Sequence, residues 1–150
     1  MLRLRAPKLE EAAALTDLCL RSKAVWGYDH AFNNACRIEL TLTPEMLSSS
    51  CAQVAERSGF IIGFAQIVST GQVADLTKLF VEPTDLRSGV GSTLFQWAIS
   101  AAREAGARTM TIEADPCAAA FYRRMGATEV GRVASGSIAG RFLPMLSLNL

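Results

Sequence analysis

Apolar and charged residues alternate from Leu2 to Ala6, which predicts a short strand with one buried face; Pro7 then opens a Glu-, Ala- and Leu-rich run that reads as a helix through about Ser22. Between Ser22 and Leu47 the periodicity weakens, and Gly27, Asn33, Asn34 and Pro44 mark turns around short helical pieces. Strand-like runs follow at 51–56 and 60–69, separated by Arg57-Ser58-Gly59 as an antiparallel hairpin would be, and a third run covers 72–81. From Val90 the period becomes helical, with Val90, Leu94, Trp97, Ala98, Ala101 and Ala105 on one stripe and Gly106 as the stop. Residues 108–114 read as a strand, 116–125 as a short helix, and 128–133 and 142–148 as two last strands. This order combines hairpins with one βαβ crossover, so the class is α+β or mixed α/β.

The length of 150 residues suits one core and hence a single domain spanning residues 1–150. An apolar fraction of 50%, a charged fraction of 19% and a net charge of +1, with no basic stripe, argue against nucleic acid or a membrane as the main partner. Arginine outnumbers lysine twelve to three, a weak hint of forked contacts to phosphate or carboxylate. Cys19, Cys36, Cys51 and Cys117 form no Cys-x-x-Cys pair, so they read as core thiols in a reducing compartment, and no metal site is expected. The N-terminal residues carry no apolar leader run, and a cytoplasmic location is expected.

The chemistry concentrates in the turn Leu86-Arg87-Ser88-Gly89-Val90-Gly91-Ser92-Thr93. A strand that ends at Val81-Glu82-Pro83 and passes through two glycines into a helix brings unpaired first-turn amides to one point, where the helix dipole favours an anion. Arg87, Ser88, Ser92 and Thr93 add donors, while Glu82 and Asp85 read as solvated turn residues. The ATP or GTP loop pattern is absent, because Ser92-Thr93 follows Gly91 with no lysine; a dinucleotide fingerprint would need glycine where Leu94 stands. A glycine-assisted turn with no ligand is the plain alternative.

Two motifs resemble the GNAT superfamily of acyl-coenzyme A-dependent N-acyltransferases. Leu79-Phe80-Val81-Glu82-Pro83, with Leu86-Arg87-Ser88-Gly89-Val90-Gly91 and Leu94, is similar to the family's strand, pyrophosphate loop and helix. Asp115-Pro116-Cys117-Ala118-Ala119-Ala120-Phe121-Tyr122 with Gly126 is similar to its second helix. Leu86 stands where the pattern has a basic or amide residue, Asp115 where it has Asn, and Ala127 where it has Phe. The resemblance implies a three-layer fold with a mostly antiparallel sheet of six to seven strands, about four helices and one parallel crossover. It also implies transfer of an acetyl group from acetyl-coenzyme A to an amine acceptor, with homodimer formation through the last strands open by analogy. A coenzyme-binding module without turnover is the alternative.

Carried over by position, the resemblance assigns the coenzyme to Leu79, Phe80 and Val81, to Arg87, Ser88, Gly89, Val90, Gly91, Ser92 and Thr93, and to Asp115, Ala118, Phe121 and Tyr122. Tyr122 stands where the family places a general acid; a phenol with an ordinary pKa near 10 can donate a proton at neutral pH. Asp75, Glu113, Asp115 and His30 stay open as proton acceptors, Asp115 also as a helix cap. Trp26, Tyr28, Phe32 and His30 fall where the acceptor wall is expected, and Arg141 is placed for a substrate carboxylate.

Overall fold

A computed structural model describes residues 1–150 and joins seven strands in one sheet. They are β1 (Leu2–Arg5), β2 (Cys51–Arg57), β3 (Phe60–Thr70), β4 (Val73–Val81), β5 (Thr109–Glu113), β6 (Thr128–Ala134) and β7 (Phe142–Asn149). Their order across the sheet is β1-β2-β3-β4-β5-β7-β6, antiparallel except for the β4–β5 pair. Six helices cover it: α1 (Ala12–Ala24), α2 (His30–Ala35), α3 (Arg37–Leu40), α4 (Pro44–Ser49), α5 (Val90–Glu104) and α6 (Ala119–Arg124). No helix is long and apolar enough to cross a membrane.

The α+β class and the parallel crossover hold, with seven strands and more helices than the four expected. The extra ones arise in the weakly periodic stretch after Ser22, where Asp29 and Thr43 cap α2 and α4 by accepting the amides of Phe32 and Met46. One face of the sheet is closed by α1 to α4, whose Leu15, Leu18, Cys19, Leu40 and Leu47 meet Val54 and Phe64. The other is closed by α5, whose Phe95, Ala98 and Ala102 meet Ile67, Leu76, Met110 and Ile112, with Tyr122 of α6 in the same cluster.

The α5 stripe differs from the periodicity reading. Its buried residues are Val90, Leu94, Phe95, Ala98, Ile99 and Ala102; Trp97 and Ala101 flank them, and Ala105 is exposed. The helix lies over β3 and β4 together, so it buries a face wider than a single stripe. Only Cys19 and Cys36 are core thiols, since Cys51 and Cys117 are exposed.

The approach of α5 to the sheet is set by Gly63. A Cβ built on this residue of β3 lies 2.8 Å from Leu94 Cδ1 and 2.9 Å from Val90 Cγ1, inside any tolerated contact. The first turn of α5 therefore rests on bare backbone. Gly63→Ala is expected to push α5 outward and to destabilise the fold by about 1–3 kcal/mol, the usual range for overpacking; chemical denaturation measures it.

Candidate active site

Parallel pairing between β4 and β5 covers three positions, Val73↔Thr109, Ala74↔Met110 and Asp75↔Thr111, although β4 continues to Val81 on its other partner β3 and β5 continues to Glu113. Beyond Asp75 the two strands part. A bulge contributes to this: Leu76 faces Ile67 and Lys78 faces Gln66, so Thr77 is an extra residue with no opposite number. Its hydroxyl is engaged by donating to the Gln66 side chain at 2.9 Å. The extra residue shifts the alternation by one, so Leu76 and Leu79 both join the α5-side core whereas Phe80 packs against the α1-side core. The β5-facing backbone of β4 after Asp75 thus lacks strand partners, and an extended ligand with amide groups can pair with it.

At the end of β4 the turn is anchored from both sides. Arg21 of α1 donates to Glu82 at 2.9 and 2.7 Å, and Arg57 of β2 reaches Asp85 at 3.3 Å, so these carboxylates are paired structural pegs and not the solvated turn residues expected. Between the pegs and α5 the chain twists through two left-handed residues, Arg87 at φ 64° and Gly89 at φ 88°. The first suits a side chain poorly and costs about 1 kcal/mol or more. No side chain caps α5. Its first-turn amides therefore retain their hydrogen-bonding capacity, which an anion can satisfy. Two of the nearby hydroxyls are engaged internally, Ser88 donating to the Asp85 carbonyl and Thr93 to the Gly89 carbonyl. Ser92 Oγ lies 3.8 Å from Met125 Sδ. Arg87 is exposed, Val90 is buried, and Gly91 faces the Phe121 ring, where a Cβ would sit at an ordinary 3.6 Å.

α6 supplies Tyr122, which is buried against Phe95 and Phe121 with ring centroids 5.8 and 5.2 Å away. Burial, and secondarily the Asp115 carboxylate, push its phenol above the ordinary value, so it stays protonated throughout the neutral range. The helix begins later than the sequence pattern indicates, because the Asp115 carbonyl accepts the amides of Ala118 and Ala119 in a preceding turn.

Asp115 is the hub of a charge network. Its carboxylate accepts the Cys117 amide at 2.8 Å, Lys23 Nζ at 3.2 Å and the Tyr28 hydroxyl at 3.0 Å. Arg141 lies 3.6 Å away and donates to the Tyr28 oxygen at 2.8 Å. The Tyr28 and Phe32 rings stack 4.0 Å apart, with the Arg141 guanidinium 5.0 and 4.6 Å from their centroids. Burial raises the Asp115 pKa, but the Cys117 amide, the Lys23 charge and the Tyr28 and Lys23 hydrogen bonds together outweigh it, and the carboxyl ends below its ordinary value. Such a group is a poor proton acceptor. Tyr28 and Arg141 thus come together at Asp115, whereas Trp26 and His30 are exposed and outside this network.

The other two carboxylates behave oppositely. Asp75 is raised by burial, only partly offset by the hydrogen bond from Thr111 at 3.0 Å. Glu113 is raised by burial and then by the charges of Asp75 and Glu39. Met110 and Ile112 enter the core, so Thr111 and Glu113 face the other side of β5, next to Asp75. Lys78 lies on this side as well, lowered by burial and held up in part by Cys19 and Glu39; Ser137 hydrogen-bonds Glu39. Lys23, Glu39, Lys78, Gly63 and the Thr77 bulge were not singled out by sequence reasoning. Their only local signal is that Lys23 and Lys78 are two of three lysines in the chain.

An open parallel pair, an uncapped helix N-terminus beside it and a buried phenol define a site for an extended ligand with an anionic end, next to a polar cleft for a second reactant. Residues 22–145 match the acetyltransferase (GNAT) domain family, and the chain belongs to that family. Among solved structures it is similar to the PaiA N-acetyltransferase from Thermoplasma acidophilum in complex with coenzyme A, with a TM-score of 0.83 and 15% identity over 100% of this chain and 99% of that one. It is also similar to a GCN5-related N-acetyltransferase from Rhodopseudomonas palustris, with a TM-score of 0.84 and 24% identity over 99% and 95% of the two chains. A third is yncA from Salmonella typhimurium, a putative acetyltransferase with its cofactor acetyl-CoA, at a TM-score of 0.70 and 19% identity over 99% and 94%. These likenesses concern the fold. No curated protein matches the chain.

Asp115→Asn leaves Lys23 and Arg141 without a countercharge and is expected to cost about 1–3 kcal/mol at neutral pH. Because the folded carboxyl lies below its unfolded value of about 3.9, its contribution is fully present above that pH and is lost as pH falls through the folded pKa. Denaturation from neutral to acid pH should therefore show the wild-type advantage shrinking toward the acid end.

Proposed function

We propose that the protein transfers an acetyl group from acetyl-coenzyme A to a primary amine, by direct attack of the amine on the thioester. The observation that carries this reading is the continuity of the unpaired β4 segment, the twisted turn and the uncapped start of α5 in a member of an acetyltransferase family. Support comes from the neighbours whose structures hold coenzyme A or acetyl-CoA. In this reading Leu79, Phe80 and Val81 offer backbone groups to pantetheine, and the amides of Ser88 through Gly91 receive the pyrophosphate. Arg87, exposed on its left-handed residue, is an auxiliary phosphate contact.

For the chemistry, a backbone N–H of the unpaired β4 segment polarises the thioester carbonyl. Glu113, raised by partial burial and then by the Asp75 and Glu39 charges, accepts the proton of the attacking amine. As the C–N bond forms and the C–S bond breaks, Tyr122 donates its phenolic proton to the departing sulfur. Asp115 orients the cleft and takes no proton.

A thiol-release assay over amines, amino acids and peptides tests the function; coenzyme binding without release on any acceptor would make the chain a binding module. Tyr122→Phe is expected to lower kcat roughly 10²-fold with acetyl-coenzyme A affinity retained, and unchanged turnover would remove Tyr122 from the chemistry. Gly91→Ala separates ligand from fold. Its Cβ meets no protein clash and alanine favours helix, so stability should hold or rise while coenzyme affinity, measured by calorimetry, falls at least severalfold.

A further inference from the structure

The network around Asp115 carries more positive charge than it neutralises. Lys23 and Arg141 share a single carboxylate, at 3.2 and 3.6 Å, and the three side chains are only 16%, 17% and 10% exposed. Stacked aromatic rings shelter the cations without cancelling them. A surplus charge withdrawn this far from water is costly unless an anion joins it. Arg141 is suited to receive one, since its fork of N–H donors has one hydrogen bond, from Nη2 to the Tyr28 oxygen.

Close by lies a pole of opposite sign. Glu113 is two residues before Asp115 at the end of an extended strand, which puts the two on one face of the sheet roughly 7 Å apart. Asp75 stands beside Glu113 on the neighbouring strand and Glu39 contributes from α3, three carboxylates against the single charge of Lys78 on the same side. The loop between β6 and β7 touches both poles: Ser137 hydrogen-bonds Glu39, and Arg141 reaches Tyr28 and Asp115.

We infer that the acceptor is an amino acid, or a similarly small molecule with a carboxylate near its reacting amine, the carboxylate held by Arg141 and Lys23 and the amine by Glu113 and Asp75. This rests on the acetyl-transfer reading above. Two opposite poles a few ångströms apart match a zwitterion; a plain diamine would set an ammonium against the two cations.

The test measures thiol release by the wild-type protein with paired acceptors that differ only in the carboxylate: lysine and cadaverine, ornithine and putrescine, glycine and methylamine. The expected result is kcat/KM at least roughly tenfold higher for the carboxylate-bearing member of one or more pairs, the size of one charge-assisted hydrogen bond. Arg141→Gln should erase that preference by raising KM for the amino acid alone, and Arg141→Lys should restore part of it. Equal turnover within every pair overturns the inference while leaving acetyl transfer intact. An Arg141→Gln variant whose KM rises for acetyl-coenzyme A with every acceptor also overturns it, by assigning the cations to the coenzyme. No release with any amine strikes at acetyl transfer itself, and the acceptor class falls with it.

Discussion

Three residue pairs of parallel ladder hold β4 to β5, and everything at the site follows from the ladder stopping there. A backbone that leaves a sheet must find other partners for its N–H and C=O groups. The Thr77 bulge moves β4 out of phase with its neighbour while its pairing to β3 continues to Val81, so the strand parts from β5 without losing its place in the sheet. The same shift lets Leu76 and Leu79 both anchor in the α5-side core and turns Lys78 to the side that Asp75 already faces by ordinary alternation.

The helix that follows depends on a second constraint, the bare surface of Gly63 beneath Val90 and Leu94. Close seating there aims the N-terminus of α5 at the mouth of the gap. The Arg21–Glu82 and Arg57–Asp85 pairs peg the turn to α1 and β2, so a strained left-handed Arg87 can be held within it. Exposed ion pairs add little stability individually. Their value here is positional, since they fix the turn that leads into the uncapped start of α5.

Electrostatics divides the carboxylates of the cleft. Burial raises all three, and the outcome turns on what else each one meets. Asp115 has an amide, a phenol and a lysine within hydrogen-bonding distance and ends low; Glu113 has two other carboxylates nearby and ends high. Two carboxylates only two residues apart, one ending β5 and one just beyond it, are thus shifted in opposite directions. Tyr122 is kept neutral by burial between two aromatic rings, which leaves its proton available.

Strand positions and the glycine turn were legible in the chain because alternation, helical period and turn chemistry are short-range properties, and the second motif was legible through its resemblance to the family. The α+β class and the crossover follow from the short-range patterns. The bulge was not legible, since one inserted residue resembles ordinary irregularity in a strand pattern. Nor was the buried stripe of α5, or the exact bounds of the short helical pieces expected after Ser22, which tertiary packing selects. The network at Asp115 lay furthest out of reach: Lys23 is 92 residues from Asp115, and Arg141 is 113 from Tyr28. By itself the sequence determined a strand, a phosphate-type turn and a helix in the order an acetyltransferase uses. Only the tertiary structure decided which carboxylate is paired with cations and held low and which is raised, because a pKa is set by neighbours in space and those neighbours come from both ends of the chain.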